Sequence, residues 1–247
     1  MKELIPNKIY YKIFDKSFKE STHIYNKKNK SNDSAYLQMV QNNRMAIINH
    51  CQATDIVILQ QIHSNKIIDA DYLANNKLDL EADGAVTIKK NLVLTVQTAD
   101  CVPILLSSND GEVIGVAHCG WRGSKAGIVN NLIELMSAKG AKNIKAIIGP
   151  SIQQSSYQVD QNYYDDFVKY RADFSKFFIK STQKDFYMFN LPACVELYLQ
   201  DSGVENIINL YEDTYANLNY PSYRRAFHMG ESHLSFERIL STIMIKP

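Results

Sequence analysis

The chain predicts a mixed α/β fold. Apolar runs rich in Val, Ile and Leu recur along it, as DIVILQQI at 55–62, GAVTI at 84–88, LVLTV at 92–96, VPILLS at 102–107 and KAIIG at 145–149, and read as buried strands. Between them lie stretches with apolar residues at helical spacing, opened by Ser or Asn and closed by Gly. The alternation shows no regular βαβ period and no internal repeat, which favours mixed sheets over a doubly wound parallel one.

Composition supports one domain over residues 1–247: 45% of the 247 residues are hydrophobic, and only 10 Gly and 6 Pro interrupt them, enough for a sizeable core. With 27 basic and 26 acidic residues the net charge is +1, so no global field draws the chain to nucleic acid or an anionic membrane, and any anion site is local. The opening MKELIPNKIYYKIF lacks an apolar signal region, and no stretch approaches the roughly 18 apolar residues of a membrane span. A cytoplasmic protein, monomer or homodimer, is expected, with its 4 cysteines reduced and available as ligands or nucleophiles.

Residues 1–34 carry eight lysines against four acids and end in NKKNKSND, which predicts a loosely held strand or two and then a solvated loop. Leu37, Val40, Met45 and Ile48 space a helix over 35–51, and DIVILQQI follows as one buried strand. Asn109-Asp110-Gly111 turns the chain into EVIGVAH. Ser124 is the expected N-cap of a helix through Lys139, with Ile128, Leu132, Ile133 and Leu135 on its apolar side and Gly140 at its end. Helices are expected near 161–170 and 190–202, the second capped by Asn190 and stopped by Gly203. SYRRAFHMG reads as an Arg-bearing loop and ILSTIMI as a short closing apolar run.

Three of these boundaries carry reactive side chains. His63 ends one strand, Cys101 begins another and His118 ends a third, so the three can converge on one sheet edge. Two imidazoles and a thiolate suit Zn²⁺, with a fourth position left for water or substrate. The same residues also permit Cys101 as a nucleophile with His63 or His118 as its base, and each taken alone reads equally as a core residue. Asp83 and Asp100 stand beside apolar strands, where a carboxylate is costly unless paired or used; Asp100 is placed to orient an imidazole or act as a general base. Cys119 is the least expected participant, because its side chain points opposite to that of His118 along a strand.

Trp121-Arg122-Gly123, ahead of the helix expected from Ser124, predicts a phosphate site made of Arg122 and free N–H groups, with Arg224 and Arg225 as a second fork. The competing readings are a carboxylate partner for Arg122 and a core position for Trp121. Tyr157 and Tyr223, in polar loops, are candidates to stack on a base or sugar.

QQIHSN, ADGAVT, TADCVPILL, VAHCGWRG, GPSIQQSSYQV and SYRR, in this order between about Ile56 and Arg225, resemble the laccase-domain family, also called the multicopper polyphenol oxidoreductase or YfiH-like family. The resemblance implies an α/β/β/α sandwich and a zinc site on His63, Cys101 and His118. It also implies purine nucleoside and phosphate as substrates: phosphorolysis of adenosine, inosine, guanosine and methylthioadenosine, with adenosine deamination besides. Copper-dependent phenol oxidation and editing of peptidoglycan precursors are the other activities linked to the family. Departures are the missing Gly-Val-Ser and Leu-Asn-Leu-Gly stretches near the N-terminus, Glu212-Asp213-Thr214 without a Cys before Thr, and Glu231 after Gly230 where the family has Arg. The last removes a positive charge expected at the site.

Overall fold

The computed structural model describes residues 7–21, 23–24, 33–73, 80–231 and 237–247. Its first half comprises β1 (Ile9–Phe14), α1 (Ser34–Cys51), β2 (Asp55–Val57), β3 (Leu59–Gln60), β4 (Ile67–Asp69), β5 (Leu80–Glu81), β6 (Gly84–Thr87), β7 (Leu92–Thr98), β8 (Val102–Ser107) and β9 (Ile114–Cys119). The second half adds α2 (Trp121–Lys125), α3 (Ile128–Ala138), β10 (Lys145–Ile148), β11 (Gln158–Asp160), α4 (Gln161–Tyr170), β12 (Phe178–Lys180) and β13 (Phe186–Phe189). It closes with α5 (Leu191–Asp201), β14 (Asn206–Asn209), α6 (Tyr223–His228) and β15 (Ile239–Ile245).

A four-stranded sheet, β1-β15-β7-β2, faces a six-stranded sheet, β14-β10-β8-β9-β6-β4, and both mix parallel and antiparallel pairs. Because alternate residues of a strand point to opposite faces, each sheet buries two apolar surfaces. Leu94, Val96 and Ile243 meet Leu105, Ile114, Val116 and Ile147 between the sheets. On the outer face of the six-stranded sheet, Ile104, Leu106 and Ala117 pack on Ile128, Leu132 and Met136 of α3 and Val195 and Leu199 of α5. On the outer face of the other, Phe14, Val93 and Met244 pack on Ile47 and Cys51 of α1. The layers run helix, sheet, sheet, helix: the α/β/β/α sandwich that the resemblance implied. A smaller sheet, β11-β13-β12, adds Val159, Phe178 and Phe189 to the apolar cluster under α3 and α5.

The caps act locally as expected at several ends. Asn190 Oδ1 accepts the Ala193 N–H at 3.1 Å to open α5, and Gly203 leaves it at φ 83. The structure departs from the sequence reading at five points. Residues 55–62 do not form one strand: the chain leaves the four-stranded sheet at Ile58, and beyond β3 the Gln61 amide bonds to the Gln97 backbone in place of strand pairing, at 2.7 Å in each direction. Ser124 caps nothing. It lies inside α2, whose N-cap is Gly120, and the helical stretch is broken at Gly127, whose φ of 90 ends α2 and starts α3.

SYRRAFHMG is not a loop but carries α6, because Ser222 Oγ accepts the Arg225 N–H at 3.1 Å. ILSTIMI is an interior strand, fully buried between β1 and β7. Within residues 1–34, expected to be loosely held, β1 is paired with β15 along its whole length, with Ile9 and Phe14 buried. The solvated loop expected over NKKNKSND lies almost entirely outside the described residues.

Candidate metal centre and cleft

The antiparallel pairing of β8 with β9 sets Pro103 opposite His118, so Cys101, just before β8, falls at the same end of this hairpin as His118. Across β9 lies β6, and the His118 N–H donates to Asp83 O at 2.7 Å. His63 arrives from a third direction, three residues past β3, with its backbone left-handed at φ 60. The register thus brings together residues far apart in sequence: one ligand atom from each of His63, Cys101 and His118 lies within 4.8 Å of the others. The two imidazoles stand at 81° with centroids 4.7 Å apart.

Asp83 builds this corner. Its carboxylate, wholly buried, accepts His118 Nδ1–H at 2.8 Å, the His63 N–H at 3.0 Å, and the Ser64 N–H and Oγ–H each at 2.7 Å. Burial works against the charged carboxyl, yet hydrogen bonds from His118 and Ser64 prevail and hold it at about 2. With Nδ1–H committed to Asp83, His118 has Nε2 left as its ligand atom. Burial likewise opposes a thiolate at Cys101, but the His118 and His63 imidazoles outweigh it and bring the thiol down to about 6. His118, which burial alone would depress, is raised to about 9 by the Cys101 thiolate and Asp83.

Gly120 supplies the space. A Cβ there would stand 3.1 Å from His63 Cδ2, 3.2 Å from Cys101 Sγ and 3.8 Å from His118 Cε1. Two imidazoles and a thiolate, one imidazole locked by a carboxylate, around a position where an added Cβ would press on His63 and Cys101, fit a divalent transition-metal ion. Among the described residues this is the one group of three or more His, Cys, Asp or Glu so arranged.

The triad borders a cleft of about 680 Å³, ample for a nucleoside-sized ligand. Trp121, Arg122, Tyr157, Tyr223 and Arg224 line it with His63, Cys101 and His118. Arg122 rests on the Trp121 ring at 4.5 Å, and Arg224 stands over the Tyr157 ring at 5.3 Å while its Nη1–H donates to Gln158 O at 2.7 Å. Burial pushes the Tyr157 hydroxyl up to about 12, so it stays protonated.

Other expectations move. Arg225 is no second fork: it donates from Nη1 to Thr214 O and Tyr215 O and from Nη2 to Tyr220 O, binding the preceding loop beneath α6. Asp83, not Asp100, orients the imidazole, because β6 pairs with β9 whereas Asp100 is turned towards Thr214 and Arg224. Asp83 does not border the cleft; Asp100 does. Arg122 belongs to the first turn of α2, a helix of only 5 residues, rather than to a segment ahead of a long one. Cys119 points away from the centre into the core against α3 and α5, and burial drives its thiol well up.

Gly120, Gln61, Gln97, Thr214 and Arg238 belong to the site or its support without having been singled out. Gly120 was readable only as a small residue between Cys119 and Trp121. Arg238 borders the cleft from just before β15, so this end of the chain does bring a cation there although Glu231 follows Gly230.

Comparison with known proteins agrees with this architecture. Proteins named purine nucleoside phosphorylase from Rickettsia prowazekii and Rickettsia conorii are 50% and 48% identical to it, each over 100% of both chains. A crystal structure of a Neisseria meningitidis protein shares the fold, with a TM-score of 0.79 at 22% identity over 98% of this chain and 96% of that one. So does a Bacillus licheniformis protein described as hypothetical protein YfiH, with a TM-score of 0.72 at 25% identity over 85% of this chain and 82% of the other. Residues 13–246 match the family described as multi-copper polyphenol oxidoreductase laccase, from within β1 to the end of β15, and the chain belongs to that family.

Proposed function

We propose that this chain is a zinc-dependent purine nucleoside phosphorylase whose active site is the cleft bordered by His63, Cys101 and His118. The observation that carries the reading is the full-length similarity, at 50% identity, to a protein named purine nucleoside phosphorylase, joined to a three-ligand centre in a nucleoside-sized cleft. The substrates are adenosine, inosine, guanosine and methylthioadenosine, and adenosine deamination is a second reaction of the same centre. Its place of work is the cytoplasm, on soluble metabolites; no helix among the described residues is long and apolar enough to cross a membrane.

In phosphorolysis a phosphate oxygen bonds to the anomeric carbon as the glycosidic bond breaks. The bond's electron pair leaves on the purine nitrogen, which takes up a proton from the attacking dihydrogen phosphate or from solvent. Arg122 and Arg224 hold the phosphate by charge and by their planar forks. Tyr157 and Tyr223 flank the nucleoside, and Asp83 keeps His118 in the tautomer that offers Nε2. A zinc ion held by His63, Cys101 and His118 would supply Lewis acidity to substrate or water. Copper-dependent phenol oxidation is less well supported: a multicopper centre requires more His and Cys ligands than the triad found among the described residues.

The test incubates purified protein with each nucleoside, with and without phosphate, alongside Cys101→Ala and His118→Ala, and measures bound metal. The expected result is phosphate-dependent release of base and ribose 1-phosphate, inosine from adenosine, stoichiometric zinc, and loss of all three in the variants. Absence of base and ribose 1-phosphate sinks the phosphorylase. Chelator-resistant activity abolished by Cys101 alkylation would point instead to a Cys–His hydrolase.

A further inference from the structure

Asp100 joins the ligand Cys101 to three segments remote in sequence. Its Oδ1 accepts Thr214 Oγ1–H at 2.7 Å, its Oδ2 accepts the Arg224 N–H at 2.6 Å, and its carbonyl accepts the Ile152 N–H at 3.0 Å. The residue holds a left-handed backbone, φ 84, that an L side chain rarely adopts and that these bonds maintain. Thr214 is fully buried; its N–H donates to Ser151 O and its carbonyl accepts from Arg225. Beyond this node, the Arg224 guanidinium is aimed by Gln158 O and the Tyr157 ring.

A carboxylate engaged through both oxygens, one of them with a fully buried hydroxyl, is built to position its partners. We propose that Asp100 and Thr214 form a latch that fixes the Arg224 backbone, and with it the guanidinium that Gln158 O aims, relative to Cys101 and thereby sets phosphate affinity. Both are positioning residues. The inference rests on the reading above, which assigns Arg224 to phosphate.

Calorimetry with inorganic phosphate, steady-state kinetics, melting temperature and bound metal are measured on the full chain and on Thr214→Val, Thr214→Ser and Asp100→Asn. Thr214→Val and Asp100→Asn are expected to weaken phosphate binding and raise its KM about tenfold or more, as loss of a buried charge-assisted bond does, with kcat within about threefold and metal content unchanged. Thr214→Ser, which keeps the hydroxyl, retains phosphate affinity. Unchanged phosphate binding in Thr214→Val overturns the latch. So does a kcat loss of about 10²-fold or more in Asp100→Asn at unchanged phosphate affinity, the signature of a general base. Should Thr214→Val fail to fold, Asp100→Asn against Thr214→Ser decides. Wild type that binds phosphate without forming product defeats the phosphorylase reading alone, and the calorimetry still judges the latch. Wild type that binds no phosphate defeats the latch.

Discussion

Asp83 Oδ1 accepts the Nδ1–H of His118 at 2.8 Å, and the same carboxylate carries the His63–Ser64 turn on its other contacts. One wholly buried acid therefore sets both imidazoles of the candidate centre, one through its ring and the other through its backbone.

Replacing that acid should damage fold and metal site together. Asp83→Asn is expected to lower metal affinity by about 10- to 100-fold and to destabilise the metal-free protein by about 3 kcal/mol or more, since buried donors lose a charged partner. The Asp83 carboxyl is depressed from 3.8 to about 2, so its contribution is complete above the unfolded value and lost as pH falls through the folded one. Urea unfolding of metal-free wild type should therefore weaken from pH 5 towards pH 2, and the variant should lack that share of the acid loss. Equal acid sensitivity in both proteins would contradict the assignment.

Gly120 offers a cleaner separation of site from fold. Its backbone, φ −73 and ψ 163, is open to any residue, so Gly120→Ala adds no backbone strain. The added methyl would crowd His63 Cδ2 at 3.1 Å and Cys101 Sγ at 3.2 Å. Weaker zinc binding with a metal-free melting temperature within a few degrees of wild type is the expected outcome, read by competition with a chromogenic chelator. Unaltered zinc affinity would place the metal elsewhere.

The thiol of Cys101 is brought to about 6 against an ordinary 9.0. In metal-free protein, iodoacetamide should label Cys101 with a midpoint close to pH 6, and zinc should protect it. His118→Ala removes the larger of the two imidazole effects and should move the midpoint upward. Mass spectrometry of the labelled peptide across pH makes the measurement, and a wild-type midpoint above 8 would refute the thiolate.

Ser124 distinguishes cap from interior. A helix N-cap replaced by Ala costs about 1 kcal/mol. The Ser124 hydroxyl instead lies fully buried in α2 with no hydrogen-bond partner, so Ser124→Ala should be neutral or stabilising. Thermal unfolding decides, and a clear loss of stability would restore the capping role.

Much of this molecule is local enough to read in one dimension. The strands at 102–107 and 145–148 and the helices at 161–170 and 191–201 follow from period and punctuation, because short apolar runs and caps such as Asn190 act within a few residues. The triad was legible too, as reactive residues at strand boundaries. Harder were the break at Ile58, the Gln61 amide that substitutes for strand pairing beyond β3, and the division of α2 from α3, where a positive φ at Gly127 overrides continuous apolar spacing. ILSTIMI read as a tail because nothing within it reveals that its partners are β1 and β7.

The sequence alone determined many of the longer elements, the family resemblance and the candidacy of His63, Cys101 and His118, since each depends on residue type and near-neighbour spacing. Only the tertiary structure decided which carboxylate serves which partner. Asp83 and Asp100 look alike in the chain, as acids beside apolar strands. Pairing of β6 with β9 turns the first onto His118, while the approach of α6 and Thr214 claims the second. Arg224 and Arg225, adjacent in sequence, divide in the same way between the cleft and the backbone beneath α6. Register and helix phase are long-range outcomes of packing, and the partners of a charged side chain follow from them.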